Sequence, residues 1–216
     1  MDHDDFDHEP IRGLPQMLPE GEEILWQGAP DWWALSRDAL RVKWVAWYFG
    51  LLFGWRAVVA GADMPWTQAV VASSFYLVLG FVACAILMAI GWAQAKSAVY
   101  TITNQRVILR IGAALTMTLQ FPFQWIGAAD LVSRPDGTGT IALRTLGETR
   151  FSYLLLWPHL RPWRMAKTQP ALRCIPDAAA VARLLSEAVA SADSMPRIGI
   201  VEDVSYNPGA MPVPAE

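Results

Sequence analysis

Few polar side chains in this chain are placed to act on a ligand, and their pattern suits recognition better than catalysis. The run Trp157-Pro158-His159-Leu160-Arg161-Pro162-Trp163-Arg164 alternates aromatic rings, prolines and bases. Such a run can dock a protein, or lie on anionic headgroups, where each basic residue is worth ~1 kcal/mol. Its tryptophans can equally serve as a structural cover for a small sheet. Trp157, Arg161, Trp163 and Arg164 are its candidate contacts, joined by the adjacent pair Trp32 and Trp33. Arg56 is a further candidate because it interrupts an apolar run. A charge at mid-bilayer costs on the order of 2.5–3.5 kcal/mol. Arg56 lies about six residues from the end of its run, or ~9 Å at 1.5 Å per residue. Its guanidinium therefore either snorkels to the interface or pairs with a carboxylate or carbonyl of a partner membrane protein.

Catalytic residue sets do not assemble. Asp130 and Asp136 are two carboxylates in a β-rich region, but the turn Pro135-Asp136-Gly137 accounts for the second. His159 has no catalytic companion nearby in sequence, and no Ser or Cys carries a nucleophile motif. No Gly-rich loop sits between a strand and a helix to bind phosphate. His3 and His8 lie in an acidic arm, Cys84 and Cys174 are far apart, and no metal-ligand spacing appears. These observations predict a non-enzyme with no cofactor and no metal site.

The elements that position the candidates follow from composition. Of the 216 residues, 54% are hydrophobic and 17% charged, against about 25% charged in soluble domains. The apolar excess is concentrated at Val42–Ala62 and Met64–Ala95, and the second stretch contains no charged residue. A transmembrane helix needs ~20 apolar residues. Trp44, Trp47, Trp55, Trp66 and Trp92 stand toward the ends of these runs, as an interfacial aromatic belt requires. Gly61-Ala62-Asp63-Met64-Pro65 is a short turn, so the expectation is an antiparallel transmembrane hairpin. Arg37, Arg41, Lys43, Lys96, Arg106 and Arg110 flank it, whereas the connecting loop has no Lys or Arg. The positive-inside rule then puts both termini in the cytoplasm.

Charge is segregated around this hairpin. Residues 1–23 carry eight acids against Arg12, residues 96–192 carry eleven bases against five acids, and the whole chain has a net charge of −3. The chain divides into an acidic flexible arm (1–20), a pre-membrane segment (21–41), the hairpin (42–95), a β domain (96–192) and a disordered tail (193–216). Within the β domain, strands are expected at Ser97–Ile102 and Val107–Ile111 about the turn Thr103–Arg106, then at Leu115–Phe123, Ile126–Val132, Gly139–Arg144, Phe151–Trp157 and Leu172–Ile175. Phe151–Trp157 is too short to span a bilayer and is expected as a buried strand. Asp177 is placed to cap a final helix whose apolar face is Val181, Leu184, Leu185 and Val189. Together these segments predict a small curved sheet or barrel capped by one helix.

Two motifs give this layout a family. Gly21–Pro30 (GEEILWQGAP) before the helices and Tyr100–Ile108 (YTITNQRVI) after them resemble the bacterial pleckstrin-homology-like membrane proteins. The acidic arm ending in Leu-Pro-Glu-Gly-Glu, the sequence Asp31-Trp32-Trp33 and the phrase Tyr100–Gly112 are similar to the photosynthetic complex (reaction-centre) assembly proteins of purple bacteria. The resemblance implies an α+β membrane protein, in which a two-helix transmembrane hairpin precedes a cytoplasmic pleckstrin-homology-like β domain capped by a C-terminal helix. It also implies a multi-pass protein of the bacterial inner (intracytoplasmic) membrane that assists assembly of the reaction centre and its core light-harvesting antenna. Expected partners are those subunits and membrane lipids, with homo-oligomerisation possible and nucleic acid excluded by the modest basic excess and the membrane tether. A lipid-binding or generic envelope scaffold is the alternative. An intramembrane enzyme would need paired polar residues inside the spans, which the sequence lacks.

Overall fold

The computed structural model describes residues 10–113, 115–146, 152–162, 164 and 167–194. Residues 1–9, Trp163 and 195–216 lie outside the described residues. Strand β1 (Ile24–Gly28) leads into helix α1 (Trp32–Asp38) and then the helices α2 (Val42–Gly61) and α3 (Trp66–Ser97). Strands β2 (Val99–Thr103), β3 (Arg106–Ile111) and β4 (Met117–Pro122) follow. A 3-10 turn at Phe123–Trp125 leads to β5 (Ile126–Ser133) and β6 (Gly139–Thr145). The short helix α4 (Tyr153–Leu156), strand β7 (Ala171–Ile175) and helix α5 (Ala178–Ser194) complete the order.

The strands make two antiparallel sheets, ordered β1-β2-β3-β4 and β5-β6-β7. Tyr100, Ile102, Val107, Leu109 and Phe121 from the first sheet pack with Ile141, Leu143, Leu172 and Ile175 from the second. Helix α5 closes this core with Ala178, Val181, Leu185 and Ala188, and Leu184 and Val189 flank them. The apolar stripe read from the sequence is therefore the face that packs. Asp177 precedes α5 at φ 49, its carbonyl accepting from the amides of Ala180 and Val181.

Strand β1 pairs with β2 across the entire helical insertion, with Trp26 opposite Ile102 and Gly28 opposite Tyr100. The two sequence motifs are thus one structural device. Arg106 grips the side chain of Glu22 with two bonds, Nε to Oε1 at 2.8 Å and Nη2 to Oε2 at 2.7 Å. Thr103 Oγ1 donates to the same carboxylate at 2.7 Å. Asn104 closes the junction: Glu23 N–H donates to its Oδ1, and its Nδ2 donates to the carbonyl of Gly21. Residues 10–20, read as part of the arm, also touch this sheet: Leu14 is buried, and Gln27 Nε2 donates to the carbonyl of Arg12.

Helices α2 and α3 run antiparallel with an unusual distribution of size. Their buried positions are Ala57, Ala60, Ala69, Ser73, Gly80, Gly91 and Ala95, while Trp47, Leu51, Trp55, Val71, Phe75 and Phe81 are exposed. A Cβ on Gly80 would lie 2.6 Å from Phe49, so the glycine is needed for the helices to approach. Helix α3 is long and apolar enough to cross a membrane.

Two segments differ from expectation. Ser97 ends α3 instead of opening β2. Phe151–Trp157 was expected as a buried strand, but Tyr153–Leu156 forms a helical turn. Tyr153 and Leu156, three residues apart, both face the core, which a period of two cannot achieve, and Pro158 stops the turn from extending.

Removing one partner of a buried ion pair leaves the other charge uncompensated. Glu22→Ala is therefore expected to cost about 3 kcal/mol, measured as earlier loss of protease protection around β1 and β2 under denaturant. Arg106→Lys keeps the charge but loses the two-pronged geometry, and should fall between the unsubstituted protein and Glu22→Ala.

Candidate functional site

Helix α1 joins the helical hairpin to the β domain. Asp31 starts it as N-cap, its Oδ1 accepting from Ala34 N–H at 2.6 Å, and Asp31 N–H donates to the Cys174 carbonyl at the end of β7. Ala34, Leu35 and Ser36 form its buried face. This face lies on the last turns of α3, where a Cβ on Gly91 would fall 2.1 Å from Ser36 Oγ. Ala34, Leu35, Ala95 and Cys174 make a second small core there.

The far end of α1 is held by charge. Arg37 pairs with Asp136 in the β5–β6 turn. Asp38 accepts from Arg134 at 2.5 Å and also from the buried Arg173 of β7. Asp136 additionally accepts from the Thr138 hydroxyl and amide. The Thr138 hydroxyl and then Arg37 hold the Asp136 carboxyl down to about 2, so it stays ionised. With α1 clamped on both sides, Trp32 and Trp33 project outward at the hairpin base, rings edge-on at 5.9 Å.

Behind Arg173 lies a buried polar cluster that the sequence did not disclose. Tyr100 Oη sits 2.5 Å from His159 Nδ1, and the Arg173 amide donates to the same oxygen at 3.4 Å. Arg173 Nη1 donates to the carbonyls of Pro158 and Leu160. Burial, reinforced by Arg173, pushes His159 down to about 3, and burial pushes the Tyr100 hydroxyl above its usual range. Both are therefore neutral at physiological pH. His159 is only 1% exposed, so the cluster has no opening for a substrate; it ties β2 to β7. The available signal was a charge, Arg173, inside the apolar run Ala171–Ile175.

The aromatic and basic run does not form one surface. Leu160 bridges Pro170, with Arg161 N–H bonded to Gln169 and Ala171 N–H to His159, so this stretch is joined antiparallel to the start of β7. Trp157 is thereby carried toward the Ile175 end and Arg161 toward the opposite end. Arg161 is also spoken for: it and Arg144 both bind Asp130, at 2.6 and 2.7 Å. These two arginines, Arg144 foremost, lower the Asp130 carboxyl. Arg164 is exposed, and Trp163 lies outside the described residues. Arg56 is exposed on α2, distant from all of these. Beside it, Tyr48, Leu51, Leu52, Gly54, Trp55 and Val58 line an apolar groove of about 320 Å³.

The neutral histidine has a measurable consequence. In the unfolded chain His159 binds a proton below its ordinary pKa of 6.5, while in the fold it does so only near 3. The unfolded state thus holds more protons in that window, and stability falls as pH drops from 6.5 toward 3. By pH 5 the loss is about 2 kcal/mol at 1.36 kcal/mol per unit. His159→Gln should lower stability at pH 8 yet flatten this slope, as followed by thermal unfolding across pH.

Comparison with known proteins agrees with this architecture. A Rhodobacter capsulatus protein of 23.7 kDa, described as uncharacterized and lying in the puhA 5′ region, is 44% identical over 203 residues. The aligned part covers 92% of this chain and 94% of that protein. No solved structure matches. Residues 45–189, which include α3 and all but the first three residues of α2, match the bacterial PH domain family. The chain belongs to that family of bacterial PH domain proteins.

Proposed function

We propose that this chain is a non-enzymatic assembly factor for the photosynthetic reaction centre and its core light-harvesting complex. The observation that carries this reading is the near full-length relative in the puhA region, a photosynthesis gene region. The sequence resemblance to the assembly proteins of purple bacteria points the same way.

In this reading α2 and α3 both cross the inner (intracytoplasmic) membrane. Two observations support it beyond the apolar character of α3. First, β1 and β2 are paired, so the chain between them returns to the side it left and makes an even number of crossings. Helix α2, with 20 residues, supplies the other crossing at ~30 Å. Second, the hairpin packs through Ala, Ser and Gly and presents its large apolar side chains outward, the arrangement used where lipid is the solvent. The basic flanks support a cytoplasmic β domain and cytoplasmic termini by the positive-inside rule.

The hairpin meets reaction-centre and antenna helices through the outer face of α2, with Arg56 meeting a carboxylate or carbonyl. Trp32 and Trp33 engage partners at the headgroup level, and a second copy of the chain is a further possible partner. The alternative lipid-binding scaffold relied on the 157–164 run as one basic face; Arg161 bound to Asp130 weakens that basis.

A strain lacking this gene is expected to accumulate several-fold less assembled reaction centre, measured by its pigment absorption in isolated membranes. Normal amounts would remove the assembly reading. For topology, Asp63→Cys should react with an impermeant maleimide from the periplasmic side only.

A further inference from the structure

We propose that the end of the β domain nearest the hairpin is itself a membrane-docking surface. Helix α4, the β3–β4 turn and α1 would dip apolar side chains into the lipid headgroup layer around the helical stem. This rests on the reading that α2 and α3 span the bilayer.

The argument begins with exposed apolar side chains. In α4, Tyr153 and Leu156 pack inward while Leu154 and Leu155 are 86% and 53% exposed. Trp157 beside them is also exposed, and Leu115 in the β3–β4 turn is 79% exposed. With Trp32 and Trp33 on α1, six large apolar side chains stand in water unless something covers them. Single exposed residues of this kind are ordinary, but a grouped set marks a contact surface.

Strand register decides what covers them. Ile175 pairs with Gly139 at the start of β6, and the stretch through Leu160 runs antiparallel to β7. Moving back from Leu160 to α4 therefore leads toward Ile175. That is the end where Asp31 binds the Cys174 carbonyl and Asp38 binds Arg173. In the other sheet, Val99 directly follows α3 and pairs with Arg110, so the β3–β4 turn also lies at the hairpin end. Three separate segments thus bring their exposed apolar side chains to one rim, the rim from which the spanning helices leave.

A bilayer is the occupant this continuity selects. The rim surrounds the point where the stem enters lipid, and Trp92 with Lys96 stacked over its ring at 5.4 Å marks the interfacial zone on α3. Helix α4 is one turn long, too short to span, and offers two leucines and a tryptophan in the manner of an interfacial anchor.

The test uses nitroxide labels on the full chain, in a Cys84→Ser/Cys174→Ala background reconstituted into phosphatidylethanolamine and phosphatidylglycerol vesicles. Labels at Leu154→Cys and, independently, Leu155→Cys are compared with Gln124→Cys at the far end of the domain and Phe75→Cys midway along the part of α3 that faces α2. The expected result is that both α4 labels collide preferentially with oxygen at a depth of ~5–10 Å below the phosphates, while the Gln124 label collides with a water-soluble nickel chelate. If the α4 labels meet the chelate as freely as the Gln124 label while the Phe75 label stays deep, the docking surface is refuted and the spans stand. If the Phe75 label is also wet, the spanning reading fails and takes this one with it. Protection at α4 that disappears when the protein is diluted in lipid would mean a second copy covers the rim, which also overturns the proposal.

Discussion

Strand β1 is hydrogen-bonded along β2 although residues 29–98 separate them in sequence, and much of the molecule follows from that closure. A strand pair brings its two chain ends within ~5 Å, so everything inserted between them leaves from one end of the sheet and returns there. The insertion is almost entirely apolar helix. The Glu22 carboxylate, held by Arg106 and Thr103, is the fastening at the opposite end of the same strand pair. The carboxylate is buried and fully satisfied there, so no slipped register of β1 keeps these bonds. Long-range pairing of this kind is slow to form because the loop entropy must be met first. Helices that form locally would shorten that search.

The two halves of the chain solve packing by opposite rules. In the β domain, large residues such as Tyr100, Ile102, Leu109 and Phe121 are inside and the charges are outside or paired. In the hairpin, small residues are inside and large ones outside. Burying apolar area drives association only when water is the alternative; close approach of helix backbones would replace it if, as proposed, the hairpin lies in lipid. Helix α1 sits where one rule gives way to the other. Its inner face uses both devices, a glycine contact to α3 at Gly91 and a leucine core at Leu35. Its charged end reaches the β domain.

What could be read from sequence follows the range of the interaction. The two helical runs, the turn at Thr103–Arg106 and the stripe on α5 are local patterns of period and turn chemistry, and the structure places them within a few residues of expectation. The role of Glu22 was not legible, because an acid beside Glu23 in an acidic stretch looks like solvated charge until Arg106 is brought to it from far along the chain. Arg161 was read as a free base for the converse reason: Asp130, which binds it, lies on another strand. Phe151–Trp157 misled because a short apolar run carries no reliable period, and the choice between strand and helical turn was made by which side chains the core could accept.

Length supplies the last constraint. Helix α3 has 32 residues and α2 has 20, so at 1.5 Å per residue they reach ~48 and ~30 Å. Cys84 lies opposite the Val42 carbonyl and Gly80 opposite Phe49, so the portion of α3 beyond Cys84 extends past the start of α2. That surplus is what α1 grips, at Gly91 and Ala95. A protruding helix held only by its own backbone would let the β domain swing about the junction at Ala98. Clamping it to α1, and α1 in turn to Asp136, Arg134 and Arg173, removes that freedom. The orientation of the β domain is thereby set by the direction of α3, so any helix that packs against the hairpin also determines where the domain stands.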